Sequence, residues 1–191
     1  MTRTSGRSFD HFCRDAVDLL ERAAAPYLVI GGLAVAVVGE PRMTGDIDVV
    51  AYVDLERAEE LIAEAIAAGF AAAEDERERL HQTGTLRFSK GSFQLDIILA
   101  SLPFEDAARA RARPGRLFGR RVPLPTPEDL ILFKVLAGRD KDLVDAVGVA
   151  RRHLASLDRA YLTATLDEIC DLAEDVGPRQ RLDDVLRKAR S

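Results

Sequence analysis

Between Asp10 and Ala25, apolar residues recur at Phe12, Ala16, Leu19, Leu20 and Ala23, close to the 3.6-residue period of an amphipathic helix, and Pro26 closes the stretch. Tyr27-Leu28-Val29-Ile30 is a short run of strand formers that ends at Gly31-Gly32, and Leu33 to Val38 then has the apolar density of a helix start. After the Gly39 to Gly45 connection, Asp46 to Val53 reads as a second strand. Leu55 to Ala68 reads as a helix with Leu55, Ala58, Leu61, Ile62, Ala65 and Ile66 on one face. Thr85 to Lys90 and Ser92 to Leu99 predict two strands that meet at a Gly91 turn, a hairpin. Prolines punctuate Val122 to Pro127; they cannot donate to a ladder and disfavour helix in the residue before them, so the chain is expected to leave the sheet there. Beyond that point Pro127 to Ala137, Asp140 to Ala155, Leu157 to Glu174 and Pro178 to Ala189 all have helical spacing, with Pro127 and Pro178 suited to first turns. The order predicts an α+β chain, with a small sheet flanked by helices over residues 1–125 and a C-terminal helical subdomain over 126–191.

Composition narrows the class. With 191 residues, 47% apolar and 31% charged, the chain can bury a core, and no apolar run reaches the roughly 18 residues that span a bilayer. No membrane role is expected. Met1 to Asp10 is polar, without the apolar stretch of a signal peptide, so a cytoplasmic location is expected. Cys13 and Cys170 are then reduced core or boundary residues, since no CxxC or Cys/His cluster accompanies them. His11, His81 and His153 are scattered without metal-like spacing. The net charge of −5 gives no reason for general nucleic-acid binding over the whole surface. Locally the balance differs: Arg109, Arg111, Arg113, Arg116, Arg120 and Arg121 have no acidic residue among them, which suits either phosphate contacts or a solvated arginine-rich surface.

Three aspartates carry the candidate chemistry. Side chains alternate along a strand, so Asp46 and Asp48 project to one side while Ile47 and Val49 face the core. Two like charges held that close repel unless a cation neutralises them, and carboxylate oxygens suit Mg²⁺ or Mn²⁺; the alternative is ordinary turn capping after Gly45. Asp96 stands inside the apolar run Phe93 to Leu99, where a charge needs a partner, either a metal or an arginine such as Arg87 on the neighbouring strand. Gly31-Gly32 allows close backbone approach to a triphosphate at a helix N-terminus, or simply a tight strand-to-helix turn.

Gly31-Gly32, Arg42-x-Thr44-x-Asp46-Ile-Asp48 and the later Asp96 resemble the signature of the DNA polymerase β-like nucleotidyltransferase superfamily. Thr126 to Lys134, followed by Ala137-Gly-Arg139-Asp-Lys141-Asp142-Leu-Val-Asp145, is similar to the lysine and arginine/aspartate motifs of the AbiEii-type bacterial group. The resemblance spans roughly residues 27 to 150. It implies a small mixed β-sheet nucleotidyltransferase core and a toxin-like enzyme. Such an enzyme moves NMP from an NTP to an acceptor hydroxyl on tRNA, protein or an antibiotic, beside a cognate antitoxin; the alternative is a non-catalytic nucleotide-binding partner in a toxin-antitoxin pair. By the same resemblance Asp46, Asp48 and Asp96 ligate two divalent cations, and Asp96 assists deprotonation of the acceptor. Gly31, Gly32, Arg42 and Thr44 meet the nucleotide, Lys134 supplies a point charge for the phosphates, and Arg139, Lys141, Asp142 and Asp145 complete the motif. RNA would be held through Arg109 to Arg121.

Overall fold

The computed structural model describes residues 8–40 and 43–190. Helix α1 (Phe9–Arg22) starts at Ser8, whose hydroxyl accepts the His11 N–H, and it buries Phe12, Ala16, Leu19 and Leu20, the stripe its period marks. Strand β1 (Tyr27–Ile30) passes straight into α2 (Gly31–Val38), without an intervening loop residue. Strand β2 (Asp46–Ala51) follows, and Asp54 caps α3 (Leu55–Ala67) by accepting the Arg57 N–H. The hairpin of β3 (Thr85–Lys90) and β4 (Phe93–Leu99) turns at Gly91, which takes φ +70°.

Two helices and a second hairpin were not visible in the periodicity. Helix α4 (Glu76–Thr83) is nearly all polar, with Leu80 as its one buried apolar residue, and α5 (Pro103–Ala110) is barely two turns long. The proline-punctuated stretch begins inside a strand, and the chain leaves sheet structure within it, after Leu124. Arg113–Leu117 and Arg120–Leu124 form the antiparallel strands β5 and β6, with Pro114 opposite Pro123 in a two-stranded ribbon that can spare both donors. Leu117, Val122 and Leu124 bury one side of that ribbon.

The four-stranded sheet is mixed, in the order β1-β2-β4-β3, with β1 antiparallel to β2, β2 parallel to β4 and β4 antiparallel to β3. Ile47, Val49, Leu95, Ile97, Leu86 and Phe88 point to one face and join α1 and α3 in the main apolar cluster. The opposite face divides along its length. Its inner part, Leu28, Ile30 and Val50, is covered by Ala108 of α5, and its outer part carries Asp46, Asp48 and Asp96. Helices α6 (Pro127–Ala137), α7 (Asp140–Arg152), α8 (Arg159–Ala173) and α9 (Gly177–Lys188) follow the ribbon. Thr126 caps α6 with Pro127 in its first turn, and Gly138 ends it in the left-handed conformation. Cys13 and Cys170 are both buried and free. Among the described residues no helix is long and apolar enough to cross a membrane.

Leu95 lies at 0% exposure on β4, an inner strand of the sheet. Leu95→Ala is expected to cost about 2–5 kcal/mol, read from the urea midpoint, because the strands around it cannot collapse into the space left.

Candidate active site

Register brings the acids together. Asp48 on β2 is the direct partner of Asp96 on the parallel strand β4 and of Ile30 at the end of β1, while Asp46 lies one pleat further out and is exposed. Ile30 is followed at once by Gly31, at φ +64°, and a Cβ there would stand 1.8 Å from Asp48 Oδ2. Only glycine fits: the conformation disfavours other residues, and the space a side chain needs is filled by the carboxylate. The next residue, Gly32, donates its backbone N–H to Asp48 from the first turn of α2, where the helix has free donors. The double glycine therefore seats an aspartate at a helix N-terminus.

The Asp48 carboxyl is pushed above the usual carboxylate range, first by burial and then by the Asp96 charge, with Asp46 adding to it; Lys134 and the Gly32 N–H pull the other way. Asp96 is held by Arg87, its cross-strand partner on β3, through Nε to Oδ1 at 2.7 Å and a terminal nitrogen to Oδ2 at 2.8 Å. This is the arginine that the sequence left open as the alternative to a metal. Arg87 is braced in turn through its backbone N–H, which donates to the buried Glu76 of α4; Glu76 also takes Arg79 at 2.8 Å.

Lys134 is not a surface lysine. It is 4% exposed, and its Nζ donates to Asp142 Oδ1 and Asp145 Oδ2, each at 2.8 Å. Gly138 does interrupt the helix, so these residues meet across the α6–α7 turn and not along one continuous face. Arg139 donates to the other oxygen of Asp142, and Lys141 is exposed. Burial alone would raise the Asp142 carboxyl, but the hydrogen bonds from Arg139 and Lys134 outweigh it and hold it below its ordinary value. The Thr44 hydroxyl sits 3.4 Å from the Asp46 N–H at the entry to β2, and Arg42 lies outside the described residues.

Asp48, Lys134, Arg139 and Asp142 line a pocket of about 130 Å³ whose apolar walls are Ile30, Val50 and Ile98 on the sheet and Phe133 on α6. A larger groove, about 520 Å³, lies between α7 and α9 beside Glu40 and Arg151, away from the acids. Glu105 also reaches the smaller pocket, with Oε2 accepting the Ser101 and Leu102 N–H groups. Neither Phe133 nor Glu105 carried a signal in the sequence, since each looks like an ordinary helix residue.

The oxygen-only donor set, with two carboxylates paired in register and a third on the same face, fits a hard divalent cation such as Mg²⁺ or Mn²⁺ by chemistry. In its present arrangement Asp96 is engaged by Arg87, and among the described residues no three His, Cys, Asp or Glu side chains converge on a metal position.

The arginine-rich stretch is divided. Arg111 donates to the fully buried Asp129 and lies over the Tyr161 ring, Arg120 pairs with Asp18, and Arg109 lies over Tyr52. Arg113, Arg116 and Arg121 are exposed, and no ion pair holds them among the described residues. Arg116 and Arg121 are directly opposite each other in the ribbon.

Residues 18–189 match the family described as nucleotidyl transferase AbiEii toxin, type IV TA system. Comparison with curated proteins gives no match. Among solved structures, the antibiotic-resistance factor ANT(2'')-Ia in solution aligns at 17% identity and a TM-score of 0.62, over 86% of this chain and 95% of that one. A crystal structure of the same factor with adenylyl-2''-tobramycin aligns at 19% identity and 0.57, over 84% and 98%. An antigenic nucleotidyltransferase-like protein from Paracoccidioides brasiliensis aligns at 17% and 0.50, over 94% and 92%. These likenesses establish the shared fold.

A carboxyl raised in the folded protein binds its proton more tightly there than in the unfolded chain, where its pKa is about 3.9. Stability therefore falls as pH rises above that value, and the loss is complete above the folded pKa. The metal-free protein therefore carries an Asp48 penalty that grows as pH rises above the unfolded value. Asp48→Asn keeps an oxygen for the Gly32 N–H and removes the charge. It is expected to raise Tm at pH 7 by about 2–4 °C, the response of a chain this long to about 1 kcal/mol. The difference should disappear near pH 3; a variant melting no higher than wild type at pH 7 would refute the repulsion.

Proposed function

The chain belongs to the AbiEii nucleotidyltransferase family, and on that premise we propose that it moves NMP from an NTP to an acceptor hydroxyl, with tRNA as the acceptor class. The observation that carries this reading is the in-register pair Asp48 and Asp96, with Asp46 on the same face, at the N-terminus of α2 and beside a pocket bordered by Lys134. In the reaction the acceptor oxygen bonds to the α-phosphorus, the bond from that phosphorus to the α,β-bridging oxygen breaks, and pyrophosphate leaves. A divalent cation bound by the three aspartates would stabilise charge on the attacking and leaving oxygens.

The remaining work falls to the chain's own groups. Asp96, on the same face as Asp48, is the carboxylate placed to accept the acceptor's hydroxyl proton. Lys134 is fixed by two carboxylates at the pocket wall, so it presents its charge without first losing conformational freedom. The apolar walls at Ile30, Val50, Ile98 and Phe133 suit a flat base or sugar face.

The RNA acceptor is supported by Arg113, Arg116 and Arg121. Like charges directly opposite on a ribbon repel, and a polyanion laid across the pair relieves that repulsion. An antitoxin partner fits the family description, type IV TA system.

The test is incubation with each α-³²P-labelled NTP and, separately, bulk tRNA, cell protein and aminoglycosides. Label is expected in tRNA, and in none of the acceptors with Asp48→Ala. With Arg116→Glu and Arg121→Glu together, transfer to tRNA should fall, and the salt dependence of RNA binding should flatten by about 0.7 in log-log slope per arginine lost. Label confined to aminoglycosides would replace the RNA reading with the antibiotic-modifying one that the ANT(2'')-Ia complex exemplifies. Label persisting in Asp48→Ala would remove the site assignment.

A further inference from the structure

Resting on that nucleotidyltransferase reading, we propose that Arg87 is an internal counter-ion that occupies Asp96 in the nucleotide-free protein and lowers the site's affinity for a free divalent cation. A metal ion is then captured chiefly when the nucleotide brings it. Both oxygens of Asp96 are taken by one guanidinium, at 2.7 and 2.8 Å, in the side-on fork that arginine forms with carboxylates. The pairing is built into the sheet, because Arg87 and Asp96 are directly opposite on antiparallel strands. Its base is held from behind, where the Arg87 N–H donates to Glu76, a residue 2% exposed.

Charge around the site shows why this pair matters. Asp46, Asp48 and Asp96 share one face, and Lys134 at the pocket wall is already engaged by Asp142 and Asp145. Arg87 is thus the cation that neutralises Asp96 where a metal would otherwise do so. Its side chain is half exposed, against 22% for that of Asp96, so the guanidinium has solvent to move into when a stronger cation arrives. For Asp96 to turn toward Asp48 and complete a metal site, it must share or release this partner. A guanidinium left close by adds positive charge against the incoming ion. A nucleotide triphosphate changes the balance by supplying oxygen ligands of its own and negative charge that tolerates both cations.

The proposal is tested by titrating Mn²⁺ into the intact protein and following free Mn²⁺ by electron paramagnetic resonance, with and without a non-hydrolysable NTP analogue. Arg87→Ala is expected to tighten Mn²⁺ binding without nucleotide about fivefold, the scale of one partly exposed ion pair. Arg87→Lys, which keeps the charge and loses the fork, should fall between the two. In an Asp96→Asn background, removing Arg87 should change the Mn²⁺ affinity little, a dependence that a purely structural arginine would not show. The analogue should narrow the difference between wild type and Arg87→Ala. Equal or weaker Mn²⁺ binding in Arg87→Ala, with Arg87→Lys following it, would overturn the counter-ion role while leaving the metal site standing. No Mn²⁺ binding by any of these proteins, with or without the analogue, would remove the metal reading itself and this proposal with it.

Discussion

Two carboxylates side by side on parallel strands, with a third a pleat away, form the arrangement that the surrounding structure is built to tolerate. Asp48 is sandwiched between Asp96 and the backbone of Gly31, and its raised carboxyl records the strain of burial and repulsion together. Each nearby feature lowers that cost by a different route. Gly31 makes room, Gly32 donates a hydrogen bond from a helix terminus, Lys134 contributes a positive field from across the pocket, and Arg87 pairs with the neighbour. A protein selected for stability alone would put an apolar residue at position 48. The three acids stand where Val50 and Ile98 continue the same face as a hydrophobic surface, a local conflict of the kind expected at functional sites.

The C-terminal helices act on the same site from two directions. The start of α7 holds Lys134 through Asp142 and Asp145. Its end holds the segment that leads into β2: Arg152 donates to the Gly39 carbonyl at 2.5 Å, and the His153 ring meets the Val38 carbonyl at 2.7 Å. One helix therefore fixes both the lysine facing the acids and the chain entering the strand that bears them. A second buried knot sets α6: Asp129 accepts from the Thr126 hydroxyl at 2.6 Å, the Tyr161 hydroxyl at 2.7 Å and Arg111 at 3.2 Å, joining the helix start to α8 and to the approach to the arginine ribbon. Removing one member of either knot would leave a buried charge without its partner, which is costlier than losing a surface ion pair.

Much of this was legible in the chain. Period and breakers located α1, β1, β2, α3, the β3–β4 hairpin and all four C-terminal helices to within a few residues, because each combines an apolar stripe with a proline, a glycine or a cap at its ends. Helix α4 escaped because it exposes polar residues nearly all round, and β5–β6 escaped because its arginines and prolines hide a short alternation of Leu117, Val122 and Leu124. In the site, strand alternation placed Asp46 and Asp48 on one side, and an isolated charge in an apolar strand marked Asp96. What sequence could not decide was Asp96's partner, because strand pairing alone brings Arg87 opposite it. Nor could it show that Lys134 is buried, since the α6–α7 turn that delivers Asp142 and Asp145 depends on tertiary packing. The arginine-rich stretch divided for the same reason: Arg111 and Arg120 found carboxylates from α6 and α1 that lie far away in the chain.

If the three-aspartate face receives a nucleotide together with a divalent cation, nucleotide binding must depend on the metal. Isothermal titration calorimetry of the full chain with each NTP, in Mg²⁺ and again in excess chelator, measures that dependence. Binding is expected to require Mg²⁺ and to be lost in Asp46→Ala, a variant at an exposed strand position whose fold should be intact by circular dichroism. Binding of equal strength in chelator, or in Asp46→Ala, would contradict it.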